Sequence, residues 1–401
     1  MPLVPRIQDH VLRQHFEKYR QMAFVSGPRQ VGKTTTCRAL APGLVYLNWD
    51  DQDDRRLITR GPAQVAQHIG VHALSEQRRL VVFDEIHKYA RWKTFLKGLF
   101  DRHADRLGIL VTGSSRLDAY RRGGDSLMGR YFLYRMHPLS VGELVARRRA
   151  EELVRPPRPL AAGRFDALWV WGGFPEPFLQ QSSRFSNRWQ RLRRQQLVRE
   201  DVRDLTRIQE LGQLEMLVTL LGDRSGEQLS YSSLAQQINV SVDTMRRWIA
   251  ALGVLHHGFL VRPWFRNVAK SLRKEPKFFL HDWSSVKDPG KRAETFFACH
   301  LLKAVETWTD LGLGEFALHY LRDKLKREVD FLVVRDDEPW ILVEVKQSET
   351  QLSRALGHFQ KQVKAPYAVQ AVVDLPFVRA SCFDRHEPTV VPARTLLSQL
   401  P

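Results

Sequence analysis

The segment Gly27–Thr36, "GPRQVGKTTT", directly follows the apolar run "MAFVS". Its first eight residues fit the pattern G-x-x-x-x-G-K-[ST], in which glycines let backbone N–H groups turn toward phosphates. The apolar run predicts a strand before the loop and "KTTTCRAL" predicts a helix after it, whose N-terminus favours anions. The alternative is a chance match in a glycine-punctuated turn.

The pattern predicts a site for ATP and Mg²⁺. Lys33 would reach the β- and γ-phosphates, and the Thr34 hydroxyl would hold the metal. The residues predicted to contact the nucleotide are Gly27, Pro28, Arg29, Gln30, Val31, Gly32, Lys33, Thr34 and Thr35.

A second acidic motif, "LVVFDEIHK", ends an apolar run with Asp84 and Glu85. Asp84 is predicted to support the Mg²⁺ shell, and Glu85 to position and activate the attacking water. An unpaired charge at the end of a buried strand is costly, which favours a functional role. Alternatively, both acids are simply solvated there.

Two further catalytic candidates follow. "GILVTGSS" predicts another strand, and Ser114 at its end is a candidate sensor of the γ-phosphate. Arg130, next to Gly129, is a candidate arginine finger for the nucleotide of a neighbouring subunit. An ordinary surface arginine is the alternative.

The length of 401 residues suggests several domains. Strands alternating with helices from about residue 20 to 145 predict a parallel sheet covered on both faces, so the fold class is α/β. The predicted divisions are an ATPase domain at 1–150, a helical junction at 151–204, a winged helix-turn-helix at 205–285 and a nuclease-like α/β domain at 286–401.

The charge balance favours anionic partners. Lys and Arg number 62 against 44 Asp and Glu, a net charge of +18. Nucleic acid is the first partner to consider and an anionic membrane surface the second; the alternative is an arginine-rich soluble chain. The sequence has three scattered cysteines, no signal-peptide pattern and no long apolar run. It therefore predicts a cytoplasmic protein without membrane association.

The motifs "SGPRQVGKTT", "DEIHK", "VTGSS", "MGRYFLYRMHPLSVGEL" and "WGGFPEPF" occur in this order. Together they resemble a bacterial and archaeal group of AAA-type ATPases that carry a C-terminal DUF4143 region. The resemblance implies an ATPase core that assembles as an oligomer, with a hexamer as one form, and a poorly defined cellular role. His87 stands where glutamine is common in this group.

A helix-turn-helix is predicted in "LSYSSLAQQINVSVDTMRRWIAALGVLHHGFLVRPWF". Val242, Met245, Ile249 and Leu252 share the apolar face of the second helix, which leaves Trp248 on another face. Two wing strands would follow, joined by the basic segment "RNVAKSLRKEPK". Five side chains are predicted to contact DNA: Arg246, Arg247, Lys270, Arg273 and Lys274. The alternative is a winged domain used only for subunit contacts.

A hairpin with paired acids is predicted in "REVDFLVVRDDEPWILVEVKQSE". A turn centred on Asp337 would place Asp330 opposite Glu344, with Lys346 on the face of Glu344, as a possible second Mg²⁺ site. The spacing resembles the PD-(D/E)xK nuclease superfamily, and Glu294 matches an extra acid of such restriction-endonuclease-like folds. Val329 stands where the pattern has proline. The alternative is an ion cluster retained from a nuclease ancestor.

These motifs lead to one main functional prediction and two alternatives. The main prediction is an AAA-type ATPase that acts on DNA as an oligomer, by translocation or remodelling. One alternative is an ATP-gated, Mg²⁺-dependent deoxyribonuclease, and the other is a nucleotide-timed signalling switch that binds a protein partner.

Overall fold

The structure is a computed structural model that describes residues 4–74, 78–113, 127–146, 152–202, 210–266 and 274–401. The chain divides into two compact units, Met1–His137 and Pro138–Pro401. Three predicted site residues, Ser114, Lys270 and Arg273, lie outside the described residues.

The first unit is built on a parallel sheet. Its strands are β1 (Met22–Ser26), β2 (Val45–Asn48), β3 (Arg79–Asp84), β4 (Leu107–Thr112) and β5 (Tyr131–Arg135). They lie in the order β2-β3-β4-β1-β5, and every pair is parallel. All residues of β1 and β4 are buried, as expected for central strands of a sheet covered on both faces. The predicted parallel α/β sheet is therefore confirmed.

Helices accompany this sheet. They are α1 (Ile7–Lys18), α2 (Lys33–Arg38), α3 (Gln52–Thr59), α4 (Pro62–Ile69) and α5 (Trp92–His103). Helix α5 packs its buried side chains Phe95, Leu96 and Leu99 into the same apolar cluster as Phe83 of β3. This packing fixes the end of β3, where the acidic motif lies.

The second unit begins with helices. They are α6 (Val141–Val145), α7 (Arg164–Trp171), α8 (Pro175–Gln180), α9 (Ser183–Gln196), α10 (Leu211–Asp223), α11 (Tyr231–Ile238) and α12 (Val242–Val254). Helices α11 and α12 are the predicted helix-turn-helix. Asn239 makes the turn between them with a left-handed φ of 59°, and the Ser241 hydroxyl caps α12 by accepting from the Thr244 N–H at 3.1 Å.

The buried face of α12 differs from the prediction at two positions. Trp248 is buried in the cluster formed by α10, α11 and α12, whereas Val242 is exposed. Val242 is the first residue of α12, and its side chain lies outside the apolar cluster. Trp248 lies three residues after Met245 and therefore on the same face, so its ring is part of the packing.

A mixed sheet forms the rest of the second unit. Its strands are β6 (Gly258–Pro263), β7 (Lys277–Leu280), β8 (Phe316–Arg322), β9 (Glu328–Arg335), β10 (Glu338–Lys346), β11 (Tyr367–Val372) and β12 (Thr389–Pro392). The order is β12-β11-β10-β9-β8-β6-β7. The two predicted wing strands, β6 and β7, pair with each other, and β6 also pairs with β8. The wing hairpin thus continues the C-terminal sheet.

The remaining helices are α13 (Pro289–Asp310), α14 (Arg354–Val363) and α15 (Ala393–Ser398). Helix α13 is the longest of the described helices and buries Phe296, Phe297 and Trp308. None of the helices in the described part of the chain combines the length and the apolar character that a membrane span requires.

A buried ion pair ties α6 to α13. Lys303 Nζ lies 2.5 Å from Glu143 Oε2, with the two side chains only 2% and 0% exposed, and also donates to the Pro138 carbonyl at 3.1 Å. The Ser140 hydroxyl caps α6, and the Val141 N–H donates to Nε2 of His300 at 3.1 Å. The motif "PLSVGEL" is therefore held to α13 by polar contacts that water does not reach.

We expect Lys303→Met to lower the free energy of unfolding by about 3–5 kcal/mol, because it removes the ammonium that pairs with the buried Glu143 carboxylate. The double variant Glu143→Leu/Lys303→Met should regain most of this loss, since neither charge is then buried. Urea unfolding of the parent, the two single variants and the double variant measures the effect. A double variant as unstable as Lys303→Met would contradict this account.

Candidate functional site

The loop between β1 and α2 has a backbone that only glycine accepts at two positions. Gly27 has a φ of 148° and Gly32 a φ of 102°. A Cβ at Gly27 would lie 2.2 Å from the carbonyl oxygen of Met136. The loop therefore lies directly against the segment that follows β5, and residues 27–34 form one curved stretch at the carboxyl edge of the sheet.

The Lys33 side chain lies inside this curve. Its Nζ donates to the carbonyls of Gly27 at 2.8 Å and Pro28 at 2.7 Å, and the residue is 8% exposed. Burial lowers the pKa of Lys33 to about 8, because carbonyl dipoles compensate the ammonium less well than water does. An anionic phosphate in the loop would supply the missing compensation.

Thr34 and Asp84 are neighbours across the sheet edge. The Thr34 hydroxyl donates to Asp84 Oδ2 at 3.0 Å, and the Tyr46 hydroxyl donates to the same oxygen. Burial raises the pKa of Asp84 above its usual value. A hydroxyl and a carboxylate in contact beside a phosphate loop are oxygen donors of the kind that Mg²⁺ prefers, so these residues fit the ion.

Glu85 follows Asp84 in a left-handed conformation with a φ of 55°. Its N–H donates to the Thr112 carbonyl at 2.9 Å, which fixes the residue beside the end of β4. Its carboxylate lies 3.4 Å from Lys88 Nζ and 3.5 Å from His87 Nε2. The Lys88 ammonium and the His87 ring thus hold the Glu85 carboxylate, which is predicted to activate water, near Asp84.

Arg6 and Tyr46 are site residues that the sequence did not indicate. The buried Arg6 guanidinium donates to the carbonyl of Val31 in the loop and to the carbonyl of His137 at 2.5 Å. It therefore ties the phosphate loop to the segment after β5. Neither residue belongs to a recognisable pattern, since each acts through a contact distant in the sequence.

Arg130 lies at the opposite edge of the sheet. Met22, the first residue of β1, pairs with Tyr131 of β5, so Arg130 lies beside the start of β1. The phosphate loop follows the other end of β1, about 13 Å or more away. Its guanidinium binds both carboxylate oxygens of Asp101, at 2.7 and 3.1 Å. Arg130 does not reach the phosphate loop of its own unit, and its role toward a neighbouring subunit stays a prediction.

The helix-turn-helix presents a basic surface. Arg246 and Arg247 are exposed on α12. A cleft of about 640 Å³ lies between α11, α12 and β6, and its lining includes Tyr231, Arg246, Arg262 and Lys274. The Arg246 guanidinium lies 5.6 Å from the centre of the Tyr231 ring. Three cationic side chains, the Glu275 carboxylate and an aromatic face therefore share one cleft.

The C-terminal hairpin brings its predicted acids together. Asp336 and Asp337 both have positive φ, and Val343 pairs with Phe331 after a bulge between Pro339 and Ile341. Continuing this register places Glu344 opposite Asp330. The Val345 N–H donates to Asp330 Oδ2 at 2.8 Å, and Glu344 lies 2.9 Å from Lys346 Nζ.

Lys277 of β7 also enters this cluster, which the sequence did not indicate. Its Nζ lies 2.5 Å from Glu328, 3.5 Å from Glu294 and 3.8 Å from Asp330. Burial alone would lower the pKa of Lys277, but the three carboxylates raise it above the usual lysine value. Burial also raises the pKa of Glu294 and of Glu344 to about 7, with Asp330 contributing to both shifts.

The second Mg²⁺ site, expected at Asp330 and Glu344 of the hairpin, stays a prediction. Nowhere in the described ranges do three or more His, Cys, Asp or Glu residues form a group that could hold a metal ion. At the hairpin, Lys277 Nζ lies 3.8 Å from Asp330 and Lys346 Nζ lies 2.9 Å from Glu344.

The glycine-walled loop, the enclosed lysine and the Thr34–Asp84 contact at the carboxyl edge of a parallel sheet define a P-loop nucleotide-binding domain. The comparison with family models agrees: residues 19–145 match the AAA domain. Residues 162–286 match a domain of unknown function, DUF8612, and residues 289–377 match another, DUF4143. The chain thus carries a segment similar to AAA domains, followed by segments that match DUF8612 and DUF4143.

Two curated relatives carry only the name of uncharacterised proteins. Proteins of Mycobacterium bovis and Mycobacterium tuberculosis are each 24% identical over 343 residues, which is 84% of this chain and 72% of each relative. Among solved structures, a Walker-type ATPase of Pyrococcus abyssi is 15% identical, with a TM-score of 0.38, over 70% of this chain and 93% of that chain. The Aeropyrum pernix Orc1 protein in complex with DNA is 13% identical, with a TM-score of 0.31, over 74% and 93%. Both TM-scores are low, so neither likeness bears on the partners of this chain.

The pKa of Lys33 predicts a pH dependence of nucleotide binding. Below about pH 8 the free protein carries the ammonium that a phosphate needs; above it, the proton must be taken up on binding. We expect the affinity for ATP to fall between pH 8 and pH 9.5, by up to about tenfold per pH unit. Calorimetry with Mg²⁺ at each pH measures it.

Lys33→Arg is the matched control, because a guanidinium stays charged throughout this range. Its weaker binding should not change with pH. A flat profile for the parent protein, or an equal decline in Lys33→Arg, would show that Lys33 does not titrate on binding.

Proposed function

We propose that the protein hydrolyses ATP with Mg²⁺ and couples this reaction to DNA through its helix-turn-helix. The observation that carries the hydrolysis is the contact of the Thr34 hydroxyl with Asp84, 3.0 Å apart, beside the enclosed Lys33. The AAA family match supports the same reaction.

Each residue of the site has a separate task. The Lys33 ammonium, now held by two carbonyls, would turn to the terminal phosphates and offset their charge. Thr34 and Asp84 would hold Mg²⁺, which neutralises charge on the phosphate oxygens when bound. The Glu85 carboxylate would accept the proton of the attacking water, and Lys88 and His87 keep it beside the metal-binding acid.

Glu85→Gln should reduce ATP turnover by about a hundredfold or more while ATP still binds, because the amide keeps the shape of the side chain but takes up no proton. Phosphate release under saturating ATP, together with calorimetric affinity, separates the two effects. Turnover that stays within a few-fold of the parent would remove Glu85 from the proposed role.

DNA is the proposed partner because charge and shape agree. The net charge of +18 favours a polyanion. The exposed Arg246 and Arg247 lie on the second helix of the helix-turn-helix, which enters the major groove in this class of motif. Lys274 and Arg262 line the adjacent cleft. This combination favours DNA over a protein partner of a signalling switch.

An oligomer is part of the proposal. Arg130 lies at the end of the sheet away from its own phosphate loop, so it could act as an arginine finger only on the nucleotide of another subunit. Such an arginine offsets charge in the transition state of hydrolysis. Release from Asp101, which now binds it, would be required.

Removing the two helix charges tests the DNA interface. Arg246→Ala/Arg247→Ala should weaken DNA binding at low salt by at least about tenfold and reduce the slope of log affinity against log salt by roughly 2. Fluorescence anisotropy with duplex, forked and single-stranded DNA measures this, and ATP turnover is followed with and without each DNA. Lys361→Ala, which removes a charge from the exposed side of α14, is the control. Failure of the parent protein to bind any of the three DNA forms would contradict a DNA partner.

A further inference from the structure

The acid cluster of the C-terminal hairpin has no task in ATP hydrolysis. Carboxylates from three elements converge there: Glu294 from α13, Glu328 and Asp330 from β9, and Glu344 from β10. Ordinarily such a convergence invites a divalent cation, because Mg²⁺ and related ions take oxygen ligands.

A cation of the chain itself already lies among three of these four carboxylates. Lys277 is 5% exposed, and its Nζ lies within 4 Å of carboxylate oxygens from Glu328, Glu294 and Asp330. An ammonium group donates three hydrogen bonds. Its position between carboxylates from α13 and β9 is the position that a bridging metal ion would take.

Asp330 and Glu344 each have a polar partner within the chain. Asp330 Oδ2 accepts from the Val345 N–H, and one oxygen of Glu344 lies 2.9 Å from Lys346 Nζ. Within the described residues, Glu344 Oε2 is a buried oxygen without a hydrogen-bond partner. Mg²⁺ usually binds through one or two carboxylates together with several waters, and here ammonium groups lie beside the carboxylates that would supply those oxygens.

We propose that Lys277 is the resident cation of this cluster and excludes divalent metal, so that the hairpin serves as an ion-paired joint and not as a nuclease centre. The joint links β7, a strand of the wing hairpin, to α13 and β9 of the C-terminal sheet. Removing the ammonium should open a site for a divalent cation at Asp330, Glu328 and Glu294.

Mn²⁺ binding to the nucleotide-free full chain tests the proposal. Electron paramagnetic resonance of free Mn²⁺ gives the number of ions bound by the parent, Lys277→Met, Lys277→Arg and Lys277→Met/Asp330→Asn. We expect Lys277→Met to bind one more equivalent than the parent and the double variant to lose it. Lys277→Arg keeps the positive charge and should behave as the parent. All four proteins keep Asp84, so any Mn²⁺ bound there adds equally to each count and does not affect the difference between them.

The parent protein gives an independent reading if Lys277→Met does not fold. Asp330→Asn in the parent background should leave Mn²⁺ binding unchanged, and the parent should not cut DNA in Mg²⁺ or Mn²⁺. An equivalent of Mn²⁺ in the parent that Asp330→Asn removes would overturn the proposal. A folded Lys277→Met, judged by its melting temperature, that gains no Mn²⁺ would overturn it as well.

Discussion

A lysine ammonium leaves water only when oxygen atoms replace its hydration, and this constraint organises both units. Lys33, Lys277 and Lys303 are all buried, and each has a different set of oxygens around it. Lys303 has one carboxylate and one carbonyl, Lys277 has three carboxylates, and Lys33 has two carbonyls. The more complete the compensation, the more the lysine acts as a fixed structural link.

Of the three lysines, Lys33 is the one whose ammonium is hydrogen-bonded only to neutral carbonyls and to no carboxylate. Carbonyl dipoles hold it, and its lowered pKa records the deficit. A triphosphate would remove that deficit, so the loop is arranged around a cation that an anionic ligand stabilises. Gly27 and Arg6 maintain this arrangement from the backbone side, one by allowing close approach to Met136 and the other by binding the Val31 carbonyl.

Local patterns in the sequence predicted the elements of the nucleotide site and the register of the hairpin. The loop motif, the apolar runs of β1 to β4 and the turn near Asp337 each lie within a short stretch, where backbone chemistry decides the outcome. Tyr46, Arg6 and Lys277 escaped prediction because their partners are distant in the sequence. Lys277 and Asp330 are 53 residues apart in the sequence. No sequence pattern predicts that a strand of the wing hairpin contacts an acid of the C-terminal hairpin. Trp248 was placed on the wrong face of α12, because an aromatic residue beside two arginines was assigned to the polar side.

The pairing of β6 with β8 makes the C-terminal sheet larger than the region that matches DUF4143. A fragment beginning at Pro289 would lose β6 and β7, and β8 would become an open edge with unpaired backbone groups that invite aggregation. It would also retain Glu294, Glu328 and Asp330 without the Lys277 ammonium that now lies among them. We therefore expect a stable C-terminal fragment to begin upstream of the family boundary, so that it includes the wing hairpin.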